Sequence, residues 1–232
     1  MTNESINEII SQLNGEQLAF PYVICKYQIS KTVEYAKVWD NKAFDVKTGT
    51  IFYFIKGKDK YVGAVNVLAN DLHWFVLEEV RNQGLLTNAL KTAIIPHFFE
   101  TSEKDYIKIT INENSEETNN HLASKKVADK LGFRKIGEDK YVLDKDLFEF
   151  SSACISIKHP GIEDNDYEAL VTEIKNISTR LHQIHAFFEF SSGLKMEKYQ
   201  TPTISQLAET LNTRRWSLED MYHDQLMAND NQ

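Results

Sequence analysis

Val80-Arg81-Asn82-Gln83-Gly84-Leu85-Leu86 follows the apolar run Leu72-His73-Trp74-Phe75-Val76-Leu77 and opens the run Thr87-Asn88-Ala89-Leu90. The order reads as a strand, a turn the size of a phosphate, and a helix. The first turn of a helix carries backbone N–H groups without intrahelical partners, and the aligned peptide dipoles leave that end partly positive. Such an end binds anions. Gly84 lets a phosphate approach the backbone with no Cβ in the way, and Arg81 adds positive charge beside it. The stretch therefore predicts a phosphate or pyrophosphate cradle between a strand and a helix.

About forty residues downstream a second segment sharpens the reading: Ser124-Lys125-Lys126-Val127-Ala128-Asp129-Lys130-Leu131-Gly132-Phe133-Arg134-Lys135-Ile136-Gly137. A helix here runs into a Lys-x-Gly-Phe turn and a strand. Together the two segments resemble the GNAT superfamily of acetyl-CoA-dependent N-acetyltransferases. In that family the first is the (Arg/Gln)-x-x-Gly-x-(Gly/Ala) pyrophosphate loop between the fourth strand and the third helix. The second leads into the sixth strand. The resemblance covers residues 50 to 147, and residues 1 to 50 by order of elements.

The resemblance implies an α/β (α+β) fold, a mixed, mostly antiparallel sheet flanked by helices, over residues 1 to 147, with acetyl-CoA as acetyl donor and an amine of unknown identity as acceptor. It implies that Arg81, Asn82, Gln83, Gly84, Leu85, Leu86 and Thr87 hold the pyrophosphate, chiefly through main-chain N–H groups from Gln83 to Thr87. Leu86 departs from the motif's final Gly or Ala, so its side chain must turn away from the ligand. The main chain of Val76 and Leu77 is assigned to the pantetheine groove, where the family's fourth and fifth strands splay apart. His121 and Ser124 are assigned to coenzyme A contacts on the following helix. The tyrosine that often protonates the departing thiolate is replaced by Ala128. The loss leaves two readings open: an enzyme that protonates the thiol by water or another side chain, or a domain that has kept the fold and lost the reaction.

A general base needs a pKa near the working pH, which favours a histidine or a carboxylate raised by burial. His73, Glu78 and the adjacent Glu79 are the candidates near the loop, with His73 and Glu78 preferred. The period of a strand sets His73 on the face opposite Trp74.

The 232 residues hold enough apolar (42%) and aromatic (11%) side chains for a packed core. A net charge of −8 argues against general affinity for nucleic acid or anionic membranes. Two cysteines, far apart in the chain, suggest neither a disulfide framework nor a zinc site. The first residues lack the basic start and apolar stretch of a secretion signal, and no apolar run reaches the ~20 residues that span a bilayer. These features point to the cytoplasm and to no membrane association.

Ile6, Ile9, Ile10 and Leu13 lie at helical spacing, and Tyr22-Val23-Ile24-Cys25-Lys26-Tyr27 reads as a strand. Ser30 is read as the cap of a short helix through Trp39. Ile51–Ile55 and Tyr61–Leu68 flank a hairpin turn, and Tyr106–Ile111 is a strand. Pro96 is expected to bend the last turn of a helix over 85–99. Residues 112–120 have the composition of a loop, 121–131 form a helix ending at Gly132, and 133–137 with 140–143 close a hairpin.

Residues 151–232 form a helical C-terminal region of unknown role. Leu170, Ile174, Ile177, Leu181, Ile184 and Phe188 alternate spacings of four and three, the seam of a coiled coil, which suggests a homo-oligomer through residues 170–188. Packing of the stripe on the chain's own sheet is the competing reading. A final helical pair is expected over 203–211 and 217–226, with Ser217 and Asp220 as a variant capping box. His182 and His185 are read as members of a solvated face; no metal site is assigned. The 203–215 segment resembles the start of a helix-turn-helix, but seven Lys or Arg against twelve Asp or Glu in residues 151–232 count against a DNA reader.

Overall fold

The computed structural model describes residues 2–16, 22–40, 49–111, 118–150, 161–199 and 201–230. The chain divides into two compact units, Met1–Lys158 and His159–Gln232.

The first unit is mixed α+β. Helix α1 (Asn3–Leu13) precedes strands β1 (Tyr22–Ser30), β2 (Val33–Asp40), β3 (Thr50–Lys56), β4 (Tyr61–Leu68) and β5 (Asp71–Val76). Helices α2 (Leu85–Ala89) and α3 (Ile95–Thr101) follow, then β6 (Tyr106–Thr110), α4 (Thr118–Leu131), β7 (Arg134–Lys135) and β8 (Lys140–Asp144). The eight strands form one sheet in the order β1-β2-β3-β4-β5-β6-β8-β7. Every neighbouring pair is antiparallel except β5 and β6, which are parallel.

Alternation along β3 shows how the sheet is covered. Phe52 and Phe54 join one core with Ile6, Ile9 and Ile10 of α1, while Tyr53 and Ile55 join the other with Leu90, Ile94, Ile95 and Phe98 and with Ala128 and Leu131 of α4. Successive strand side chains point to opposite faces, so α1 covers one face and α2, α3 and α4 the other. The three isoleucines of α1 have the i, i+3, i+4 spacing of one helical stripe. Each contributes about 1.5–3 kcal/mol when fully buried.

Residues 30–39 are not helical. Ser30 Oγ accepts from the Thr32 amide at 3.3 Å and so helps turn the β1–β2 hairpin rather than capping a helix. Val33, Ala36 and Val38 are buried, and β2 lies between β1 and β3. Two covered faces and two hydrogen-bonding neighbours outweigh the local cap signal.

The helix after the loop runs without a break from Leu85 to Thr101 but changes pitch at Leu90–Ile94, a π-helical turn. The distortion therefore precedes Pro96 instead of bending the last turn. A prolyl ring lacks an N–H and crowds the carbonyl four residues back, and the wider turn accommodates both.

In the second unit α5 (Asp164–Ser192) and α6 (Ile204–Asp230) pack against each other. Helix α6 is continuous, where a helical pair was expected. Residues 212–216 contain no glycine or proline to stop it, and Thr213 Oγ1 donates to the Glu209 carbonyl at 2.9 Å inside the helix. The actual capping box is Thr203 with Gln206: Thr203 Oγ1 accepts from the Gln206 amide (3.3 Å) and Gln206 Oε1 from the Thr203 amide (2.8 Å). Ser217 and Asp220 sit inside α6, and a helix-turn-helix needs a turn that is absent from 204–230.

The contact between α5 and α6 does not follow the heptad stripe. Buried Ser178 donates from Oγ to the Ala208 carbonyl at 2.8 Å, His182 Nδ1 meets Ser205 Oγ at 3.0 Å, and Tyr167 stacks on Tyr222 at 4.3 Å. Tyr222 also donates to Asp164. Within the stripe, Leu170, Ile177 and Phe188 are exposed while Ile174, Leu181 and Ile184 are half-buried. His182 and His185 are half-buried too, not on a solvated face. Small Ser178 and Ala208 are what let the two backbones approach.

Candidate functional site

Strands β5 and β6 share one registered pair among the described residues, Asp71 with Lys108, supported by the Lys108 amide donating to the Asn70 carbonyl at 2.7 Å. Beyond it the strands run on without ladder pairs, and β5 stays joined to β4 on its other side through Val76 opposite Gly63. The Leu77 amide continues that pairing by donating to the Val62 carbonyl at 3.0 Å. Among the described residues, the end of β5 therefore has no ladder partner on the β6 side.

The expected loop lies directly at that end. Glu78–Val80 form one 3₁₀ turn; Asn82 and Gly84 then take left-handed conformations at φ +63° and +77°. A Cβ at Gly84 would meet nothing within 4 Å, so the space beside its backbone is open. The first bond of the helix is the Asn88 amide to the Gly84 carbonyl, 2.9 Å. The amides of Leu85, Leu86 and Thr87 precede that ladder, as the first turn of any helix requires. The side chains of Leu85 and Leu86 pack against the larger core, so the leucine at 86 leaves its own N–H on the loop side.

Arg81 is engaged with its own strand. Its Nε donates to the Val76 carbonyl at 3.1 Å and its Nη1 pairs with Glu78 at 3.4 Å. Gln83 Nε2 reaches the Glu79 carbonyl at 3.4 Å. The Glu78 side chain is 84% exposed.

Helix α4 packs beside α2. From it Ser124 Oγ accepts a hydrogen bond from Trp74 Nε1 at 3.1 Å. One turn earlier, His121 Nδ1 is buried with no hydrogen-bond partner among the described residues. Ala128 is fully buried. Val76, the loop from Arg81 to Thr87, His121 and Ser124 thus belong to the α2–α4 side of the sheet or to its rim.

His73 stands apart on the α1 face, as the alternation predicts. Its Nε2 lies 3.2 Å from Asn3 Oδ1 at the start of α1. Partial burial, with Asp71 acting in the opposite direction, holds its pKa below the ordinary histidine value although the residue keeps an exposed face.

Two polar clusters escaped sequence reasoning. His97, 2% exposed, meets Tyr53 OH through Nδ1 (2.9 Å) and Tyr27 OH through Nε2 (3.0 Å). Glu34 accepts from Lys26 (2.7 Å), Lys56 (2.5 Å) and Tyr61 OH (2.7 Å). Both join residues remote in sequence, so no local pattern announced them. Trp74 was read only as the partner face of His73; nothing in its neighbours signalled the bond to a serine fifty residues away. Among the described residues no group of three or more His, Cys, Asp or Glu is placed to hold a metal ion, and no helix is long and apolar enough to cross a membrane.

Comparison with known proteins finds no matching family model and no matching curated protein for this sequence.

Proposed function

We propose that the first unit is a GNAT-like N-acetyltransferase that moves an acetyl group from acetyl-CoA to an amine acceptor in the cytoplasm. The observation that carries the reading is the parallel β5–β6 pair, registered among the described residues at Asp71 and Lys108 only, with the glycine-containing loop and a helix N-terminus at the end of β5. Unpaired main chain along β5 suits the amides of a pantetheine arm, and the amides of Leu85 to Thr87 suit its pyrophosphate. In the reaction the amine nitrogen attacks the thioester carbonyl, the carbon–sulfur bond breaks, and the amine proton passes to a base. The candidates for that base are His73, which stands on the α1 face beside Asn3, and Glu78 at the start of the loop. The thiolate must take its proton from water or from a side chain other than residue 128. Calorimetric titration of the protein with acetyl-CoA and with coenzyme A tests the reading: micromolar binding is expected, and no heat with either ligand in a folded sample overturns it.

A second reading is favoured by Ala128 and by the apolar side chains the second unit leaves exposed, among them Ile177, Phe187, Phe188 and Trp216. In it the GNAT-like domain is catalytically silent and the helical region assembles copies of the chain. Light scattering on the full chain and on an Ile177→Asp/Phe188→Asp variant separates the two. An oligomer that the double substitution dissociates supports assembly; a wild-type monomer at high micromolar concentration removes it.

A further inference from the structure

Two contacts occupy the groups that the proposed coenzyme site needs. Trp74 of β5 donates from Nε1 to Ser124 Oγ of α4 at 3.1 Å. Arg81 donates from Nε to the carbonyl of Val76 at 3.1 Å. The first bond spans the place where β5 and β6 part. Trp74 belongs to one strand of the diverging pair, and α4, which carries Ser124, shares a core with the second: Ala128 and Leu131 join the same cluster as Ile107 and Ile109. Beside it, His121 Nδ1 is buried and lacks a partner among the described residues. A buried imidazole nitrogen without a hydrogen bond costs free energy until something enters to satisfy it.

We propose that the Trp74–Ser124 bond is a latch across the place where β5 and β6 lose register, and that an acyl-CoA enters by displacing the Trp74 indole from Ser124. The inference rests on the acetyl-CoA reading of the site. Its physical content is a competition for the room beside Ser124, which goes either to the indole or to the ligand. A ligand that must break the latch binds more weakly than it would to an open gap, by the fraction of molecules in which the gap is open. A net hydrogen bond of typical strength, about 1 kcal/mol, corresponds to about fivefold in affinity.

The test is Trp74→Phe, which keeps an aromatic ring on β5 and removes the N–H donor. Acetyl-CoA is titrated calorimetrically into this variant and the wild type, both checked for a cooperative unfolding transition. About fivefold tighter binding by the variant supports the latch; equal or weaker binding beside a wild type that binds overturns it and leaves the coenzyme site standing. If the wild type does not bind, the coenzyme reading itself fails and the latch falls with it. A second measurement does not depend on how Trp74→Phe folds. The chain has three tryptophans, so Trp39→Phe/Trp216→Phe leaves Trp74 as the sole emitter. Saturating acetyl-CoA is expected to shift or quench its fluorescence. Unchanged emission with ligand bound means that the indole has not moved, and overturns the proposal.

Discussion

Gly84→Ala separates a cradle from an ordinary turn. Residue 84 sits at φ +77°, ψ 0°, and an added Cβ meets no protein atom within 4 Å. The stability cost is then purely conformational. An L-residue in the left-handed region costs ~1–2 kcal/mol, and the reduced freedom of the unfolded chain returns ~0.4–1. The net loss is about 1 kcal/mol, or roughly 3 °C in Tm for a domain of this size. Gly15→Ala is the control, because Gly15 is also left-handed, φ +71°, and also opens on empty space, at the end of α1. The two variants should be equally destabilised in thermal unfolding followed by circular dichroism. They should differ in acetyl-CoA titration, because the Cβ of Gly84→Ala stands where a phosphate approaches the amides of Leu85 to Thr87. At least a tenfold loss of affinity, about 1.4 kcal/mol, is expected for Gly84→Ala and none for Gly15→Ala. Equal affinity in both variants refutes the cradle. A Tm loss above 10 °C for Gly84→Ala refutes the premise that the space beside it is open.

Arg81→Glu should weaken acetyl-CoA binding at least tenfold by calorimetry, since it reverses the charge at the loop and removes the bond to the Val76 carbonyl; wild-type affinity would sink that assignment. Burial alone would raise the pKa of Glu34, but hydrogen bonds from Lys26, Lys56 and Tyr61 outweigh it and leave the carboxyl below its ordinary value of 4.5. That contribution is complete above pH 4.5 and is lost as pH falls through the lowered value. Glu34→Gln should cost about 2 kcal/mol at pH 7 and flatten the decline of denaturation midpoints below pH 4.5; an unchanged acid limb would show that the cluster carries none of it.

The strand, loop and helix over 72–99 were legible because their signals are local. A β-branched and aromatic run, a glycine needed at positive φ and an apolar helical stripe lie within thirty residues of one another. The stripe of Ile6, Ile9 and Ile10 was legible for the same reason, as was the stop of α4 at Gly132. The helix expected from a cap at Ser30 through Trp39 is instead hairpin and strand, because Ser30 offers the same side-chain acceptor to a helix cap and to a hairpin turn. The outcome depended on β1 and β3 lying on either side. The continuity of α6 was missed because polar composition at 212–216 mimics a turn, while the backbone there has nothing that forbids a helix. The loop reading at 112–117 lies outside the described residues, and only 118–120, expected as loop, are seen to be helical.

For the site the division falls differently. By itself the sequence determined the residue types at the end of β5 and the start of the next helix, because anion binding by a helix N-terminus is a property of consecutive backbone amides and one glycine. It also determined that residue 128 has no hydroxyl. Only the tertiary structure decided that Trp74 is bonded to Ser124, that Arg81 is turned onto Val76, that the side chain of Leu86 leaves the loop for the core, and that His73 lies on the other face beside α1. Those arrangements depend on which strand stands next to which and how far two parallel strands stay paired. Such distances are set by packing of the whole sheet, to which residues far apart in the chain contribute equally.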